Sequence, residues 1–402
     1  MTDSAKPTVL IAGGGVAGLT AALAFAHKGF SVCLFDKAVE FSEVGAGLQL
    51  APNATRLLQR LGVMEKLALS AVTPKALLLL DGKSAKTLTS MSLDAATHRW
   101  GAPYVVCHRA DLQSALLSAC QENPDITIRL GCEAVQFQEH ENSISVSIRD
   151  GNKEAKIEGA LLLGCDGVWS KLRHPLKAPE FSGHIAWRLS VDKAALPQSF
   201  SKAINQQTAV SAWLGADRHF IAYPVKAGSA YNFVAITRGQ VSDKSWDKVG
   251  DHQKLITEYQ NWHPAIRDII AQNIQWTYWP LFQMAEPHFV ISNRFVLLGD
   301  ASHAVTPFAA QGAAMAIEDA FSLAAHLSPD QKQWPLALKT YNATRLKRIE
   351  AVAKRGAFNK FVYNASGPIA LARNLVFKLR SPESLLSDLD WLYAYKADQL
   401  FE

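Results

Sequence analysis

The sequence predicts an α/β chain: a Rossmann-like nucleotide-binding domain, an inserted domain built on a mostly antiparallel β-sheet, and C-terminal helices. Three observations predict it. Thr8 to Lys28 runs as an apolar strand, three glycines and an Ala/Leu-rich helix. Two later apolar runs, Leu162–Gly164 before Asp166 and Phe295–Leu298 before Gly299-Asp300, end in the same Gly/Asp style. Between about 181 and 285 the pattern changes to alternating stretches rich in tryptophan, which reads as a second sheet.

The first segment carries a Gly-x-Gly-x-x-Gly fingerprint. Gly13 permits the tight turn after the strand, Gly15 lets a pyrophosphate approach the backbone, and Gly18 lets the helix pack close. Val16 and Ala17 open the helix, whose free N–H groups and dipole favour phosphate. Asp36 ends the next apolar run, Ser31–Asp36. Its offset suits an acid that accepts ribose hydroxyls. A glycine turn in an ordinary βαβ unit is the plain alternative, and which dinucleotide binds stays open at this point.

Further along, Gly45 and Gly47 flank Ala46, which suggests backbone passing close to a ligand. Pro52 starts a helix. Residues 73–100 look like sheet strands, and Tyr104–Gln113 reads as a short strand and then a helix. Arg109 at that junction has the geometry to take a phosphate bidentately and equally to form a surface ion pair. Strands are expected at 126–131, 143–149 and 155–163, with an Asp150-Gly151 turn joining the last two. Asp166 and Gly167 follow a strand's carboxyl end, where open α/β sheets bind ligands. Asp300 stands in the same position after its own strand, or serves as a helix N-cap. Thr306–Gly312 reads as a loop, Ala313–Leu327 as a helix, 335–364 as a long helix, and a further helix follows Pro368. The expected division is 1–72, 102–180 and 286–365 for the nucleotide-binding domain, 73–101 and 181–285 for the inserted domain, and 366–402 for the C-terminal helices.

Composition bounds the function. The chain has 402 residues, is 49% hydrophobic and 19% charged, and contains no apolar run near the ~18 residues that span a bilayer. Its polar beginning shows no secretory signal. Cys33, Cys107, Cys120, Cys132 and Cys165 make no Cys-x-x-Cys pair, which argues against a disulfide reductase and a zinc site, and fits a reducing cytoplasm. No metal site is expected. The net charge of +5 is concentrated between residues 331 and 380. A solvated helix face accounts for that run; steering of anionic substrate or NAD(P)H, or a weak membrane or nucleic-acid surface, are sharper alternatives. No aromatic interleaving supports nucleic acid.

The glycine loop, Gly164-x-Asp166-Gly167, and Gly299-Asp300-Ala301-x-His303 before Pro307-x-x-x-Gln311-Gly312 stand together. This combination resembles the single-component FAD-dependent aromatic hydroxylases, the branch with salicylate hydroxylase, 3-hydroxybenzoate 6-hydroxylase and 6-hydroxynicotinate 3-monooxygenase. Glu43–Asn53, His108–Gln113, Gly183–Arg188, Glu318-Asp319-Ala320 and Asp390–Tyr393 extend the likeness nearly end to end. The resemblance implies that Gly13, Gly15, Gly18 and Asp36 hold the ADP half of FAD, and that Arg109 meets its phosphates or ribityl chain. It implies that Asp166-Gly167 touch FAD and NAD(P)H and that Asp300 binds ribityl hydroxyls. Pro307 to Ala313 would line the isoalloxazine, with a helix from Gly312 offering its positive end to the ring. Gln49 is a weaker candidate for flavin or substrate, and His303 for loop support. Ser170 and nearby His174 form no nucleophile pair.

Arg218-His219-Phe220-Ile221-Ala222-Tyr223 resembles the branch's His-x-x-x-Tyr. A spacing of four puts both side chains on one face of a strand. The resemblance makes His219 and Tyr223 the residues that bind or deprotonate a phenolic oxygen, a task suited to a histidine of near-neutral pKa. A satisfied core histidine and a half-buried tyrosine is the bland alternative. The implied activity is NAD(P)H-consuming monooxygenation of a phenolic or hydroxypyridine acid through a flavin C4a-hydroperoxide, by a monomer or homodimer using O2. An epoxidase or antibiotic-modifying oxygenase on the same scaffold, and a non-catalytic FAD-binding interaction protein, are the rivals.

Overall fold

The computed structural model describes residues 6–41, 47–151, 153–173, 175–205, 208–240, 248–249, 251–272, 274–399 and 401. Gly45, Ala46, His174 and Trp246 lie outside the described residues.

A six-stranded sheet runs in the order Val290–Ser292, Phe295–Leu297, Leu161–Gly164, Thr8–Ala12, Ser31–Asp36, Ile126–Leu130. Its pairs are parallel except at the Val290–Ser292 edge. The middle strands are buried almost throughout, as expected of a parallel sheet covered on both faces. Helix Val16–His27 is buried from Val16 to Ala26. It packs between the sheet and helix Gly312–His326, which is why it is apolar all round rather than striped.

A second, eight-stranded sheet runs in the order Lys248–Val249, Thr277–Gln283, Glu180–Asp192, Ala230–Arg238, Arg218–Val225, Ala209–Gly215, Ala76–Asp81, Thr87–Ser92. Only the Ala209–Gly215 and Ala76–Asp81 pairing is parallel. Trp187, Trp213 and Trp276 are fully buried in the core behind it. A two-stranded ribbon, Gly47–Leu50 with Val105–His108, brings Gln49 and Arg109 toward the space between the sheets.

The expected strand at 155–163 is two strands. Lys153–Gly159 pairs with Ile144–Asp150 in a separate three-stranded sheet, and Leu161–Gly164 belongs to the parallel sheet. The chain crosses over at Gly159 because a Cβ there would lie 2.7 Å from Leu10 and 2.8 Å from the Thr8 carbonyl. The third strand of that small sheet, Cys132–Glu139, is set off from Ile126–Leu130 by Gly131 at φ +73°.

Helix Trp334–Tyr363 spans thirty residues and is followed by Gly367–Leu379, Pro382–Ser387 and Asp390–Tyr393. The basic 331–380 run is not simply a solvated face. Arg345, Arg348 and Arg373 are buried, Arg345 completely. Among the described residues no helix is long and apolar enough to cross a membrane. All five cysteines are unpaired and buried, and no cluster of metal-ligating side chains is found among the described residues.

Candidate active site

The glycine turn is built by close approach. Gly13 has φ +109°, and a Cβ on it would lie 2.4 Å from the Cys165 carbonyl oxygen. A Cβ on Gly18 would lie 1.9 Å from the Gly13 oxygen. Gly15 differs: no described residue lies within 4 Å of the space its Cβ would fill, and it N-caps the Val16–His27 helix with no side-chain cap. The first helical N–H groups therefore face open space, the arrangement that binds phosphate. Asp36 holds this turn: its carboxylate accepts the Gly14 N–H at 2.6 Å and the Ala38 N–H at 2.8 Å.

From that turn a cavity of about 290 Å³ runs between the two sheets. Gly15, Val16, Ala17, Gln49, Arg109, Gly167, Asp300, Pro307, Gly312, Ala313, His219 and Tyr223 all line it. Gly13, Gly18, Asp36 and Asp166 do not. The two glycines are packed inside the turn, and Asp166 is exposed and accepts the Lys171 N–H at 3.1 Å. Asp300 is the first residue of the short helix Asp300–His303, with Gly299 as N-cap and no side-chain cap bond. Its exposed carboxylate faces the cavity. Gly312 likewise leaves open space where a side chain would stand, at the start of the Gly312–His326 helix.

A second cavity, about 630 Å³ and largely apolar, lies between the eight-stranded sheet and the C-terminal helices. The two cavities share Gln49, His219, Ile221, Pro307 and Ala310. Of the His219/Tyr223 pair, only His219 borders both.

His219 and Tyr223 share one face of the Arg218–Val225 strand, as their spacing requires, with Ile221 between them. His219 Nδ1 lies 2.9 Å from Asn364 Oδ1. An amide oxygen only accepts, so this contact assigns the proton to Nδ1 and leaves Nε2 as an acceptor. Phe308 and Tyr363 pack on the ring, with centroids 5.5 and 5.4 Å away. Burial pushes the imidazole down to about 4, the Asn364 bond offsetting only part of it. The histidine of near-neutral pKa expected from sequence is thus an uncharged one at pH 7: it keeps the Nδ1 proton and offers Nε2 as an acceptor without taking up a second proton. Burial raises the Tyr223 phenol, against the opposing pull of Arg188, so Tyr223 remains a donor.

Arg188 was not singled out by sequence reasoning. It stands directly opposite Val234 in the next strand, lines the smaller cavity, and lies 4.9 Å from the centre of the Trp279 ring. Its Nε is buried without a hydrogen-bond partner among the described residues. The signal was its period-two register with Ala186 in the Glu180–Asp192 strand, which required knowing which strand it faced.

Behind both cavities lies a buried charge network. Glu318 Oε2 accepts from Arg345 Nη1 at 2.8 Å and Arg348 Nε at 3.0 Å. Its Oε1 accepts from Arg348 Nη2 at 2.8 Å and Asn53 Nδ2 at 2.7 Å. Asp319 accepts from Arg345 Nε at 2.9 Å, the Gly299 N–H at 3.0 Å and His303 Nε2 at 2.5 Å. Asn53 also reaches Gln311 at 2.9 Å. Burial alone would raise the Glu318 carboxyl; Arg348 and Arg345 outweigh it and hold it below its usual range. The network seats Gly299, next to Asp300, and Gln311, next to Gly312. His303 supports this region through Asp319.

Residues 6–356 match the family described as "FAD binding domain". The 3-hydroxybenzoate 6-hydroxylase of Polaromonas naphthalenivorans is 32% identical over 399 residues, 98% of either chain. The chain belongs to the FAD-dependent aromatic hydroxylases. A 3-amino-4-hydroxybenzoate 2-monooxygenase of Streptomyces platensis is 30% identical to this hydroxylase, over 98% of it and 97% of the relative. A salicylate hydroxylase substrate complex superposes with TM-score 0.82 over 99% of this hydroxylase and 98% of that chain. At 22% identity that likeness speaks for the fold alone. The cavity fits FAD: three glycines, at positions 15, 167 and 312, open onto it where a side chain would intrude.

Proposed function

We propose that this hydroxylase inserts one oxygen atom of O2 into the ring of a phenolic or hydroxypyridine acid, with NADH or NADPH as reductant and the second oxygen leaving as water. The observation that carries the reading is the junction of the two cavities at His219. The smaller cavity has the residues to hold FAD. Gly15, Val16 and Ala17 offer helix N–H groups to the phosphates, Arg109 adds charge, Asp300 accepts from the ribityl hydroxyls, and Pro307, Gly312 and Ala313 flank the ring system. Gly13, Gly18, Asp36 and Asp166 act one step back, shaping the backbone that makes these contacts. Bound FAD supplies reduction by NAD(P)H and oxygen activation.

The protein's own part is recognition and proton handling. His219 Nε2 accepts the phenolic O–H of a ring in the larger cavity, raising electron density on that ring. Tyr223 donates from the cofactor side, beside Arg188. The apolar walls exclude water from the reacting face. The wide apolar cavity is a feature an epoxidase would share, and the His219/Tyr223 pair favours the phenolic substrate. The unpaired buried cysteines fit a cytoplasmic enzyme.

The test is NADH and NADPH oxidation by FAD-loaded protein across hydroxybenzoates and hydroxypyridine acids under 18O2, with product mass read out. The reading expects one labelled oxygen in the product of at least one acid. It is abandoned if no acid both accelerates reductant oxidation and gains the label.

A further inference from the structure

Resting on the reading of this site as an aromatic-acid hydroxylase, we propose that Arg355 anchors the substrate's carboxylate in the larger cavity, so that the ring is held between Arg355 and His219. Arg355 lies on the cavity face of helix Trp334–Tyr363 with Phe358, Asn359 and Val362, at the helical spacings of three, four and seven. Its Nε is buried and has no hydrogen-bond partner among the described residues. The Phe358 ring lies beside it, 5.6 Å from the guanidinium carbon to the ring centre.

The other charged groups that line this cavity are already engaged. Asp388, its single carboxylate among the described residues, is gripped by Arg380 through two bonds of 2.6 and 3.0 Å. Arg373 donates to the Val362 carbonyl and to Asn374, both at 3.0 Å. Arg355 acts on Asp388 only through space; among the described residues no carboxylate is hydrogen-bonded to it, and it stands in a wall of phenylalanine, valine and tyrosine. A guanidinium in such surroundings takes a carboxylate bidentately, and low polarity strengthens the pairing.

Arg355 and His219 line the same cavity, and Tyr363 has a neighbour in each. Tyr363 lines the same cavity, and its ring packs 5.4 Å from His219. Burial raises the Tyr363 phenol and the Arg355 charge pulls it back, so Arg355 lies within electrostatic reach of the residue that packs on His219. An aromatic acid with its carboxylate on Arg355 presents the opposite edge of its ring toward His219 and the shared mouth of the cofactor cavity.

The experiment titrates 3-hydroxybenzoate and 3-hydroxybenzamide into the FAD-loaded enzyme at pH 7.5, following the flavin absorbance change, with wild type, Arg355→Gln and Arg355→Lys. Hydrogen bonds to charged groups place the expected preference of wild type for the acid at about 10- to 100-fold. Arg355→Gln should erase that preference while leaving FAD content and the amide Kd unchanged, and Arg355→Lys should keep part of it. If Arg355→Gln binds the acid like wild type, or wild type binds and hydroxylates the amide as well as the acid, the anchor is refuted and the hydroxylase reading stands. If wild type responds to neither ligand and turns over no hydroxybenzoate or hydroxypyridine acid, both fail.

Discussion

Replacing Glu318 by glutamine should cost this protein a large part of its stability while changing almost no volume. Glu318 is 0% exposed and each of its oxygens accepts two hydrogen bonds, three of the four from guanidinium groups. Whichever way a glutamine amide turns, its NH2 group faces two donors. The site also changes from two acids against two arginines to one against two. Breaking a buried ion pair on one side typically costs about 3–5 kcal/mol, against a total stability of about 5–15 kcal/mol. The assay is urea unfolding of the FAD-loaded enzyme followed by tryptophan fluorescence, with the shift in midpoint multiplied by the common slope. FAD affinity should fall as well, because Asn53 and Gln311 lose their alignment. A loss below about 1 kcal/mol would refute the claim that this network is charge-balanced and dry.

Three other outcomes are expected. Gly15→Ala should fold with wild-type thermal stability yet bind FAD weakly, since its Cβ enters open space, whereas Gly18→Ala should lose stability because its Cβ would lie 1.9 Å from the Gly13 oxygen; calorimetry and FAD titration separate the two. His219 should make the protein more acid-sensitive: with its folded value pushed down to about 4 against ~6.5 unfolded, the stability it contributes is complete above pH 6.5 and lost as pH falls toward 4. His219→Asn should flatten that slope in urea unfolding measured from pH 7 to 4. Tyr223→Phe should reduce the hydroxylation rate at least tenfold in kcat while leaving the Kd for 3-hydroxybenzoate within threefold, because Tyr223 lines the cofactor cavity alone; unchanged kcat would remove it from the proposed site.

The cofactor half of the site was legible because its chemistry is local. A glycine turn, the helix behind it and an acid ending the next strand lie within thirty residues, and each reports itself through spacing. His219 and Tyr223 were legible because a strand's period of two puts both on one face. The partners were not. Asn364 reaches His219 from 145 residues away, and Arg188 acquires meaning only once its strand is known to face the cavity. The basic run at 331–380 misled for the same reason. The acids that neutralise Arg345 and Arg348 are Glu318 and Asp319, on the preceding helix, so a count within the run sees charge where the fold has balance. The histidine's ionisation was missed because burial, which sequence shows poorly, outweighs its one hydrogen bond.

The Trp334–Tyr363 helix has a consequence for what changes the chain tolerates. Arg345 and Arg348 fix its register against Glu318 and Asp319, while Asn359 donates to the Phe308 carbonyl at 3.0 Å further along. At 3.6 residues per turn, one residue inserted or deleted between those two attachments rotates everything beyond by about 100° and shifts it by about 1.5 Å. Asn359, and Arg355 wherever the change precedes it, would then turn off the cavity face while the arginine cluster stayed in place. The stretch from 349 to 358 can therefore vary in side chains but not in length, and homologues with new substrates should differ there by substitution, with insertions confined to the turns that follow Tyr363.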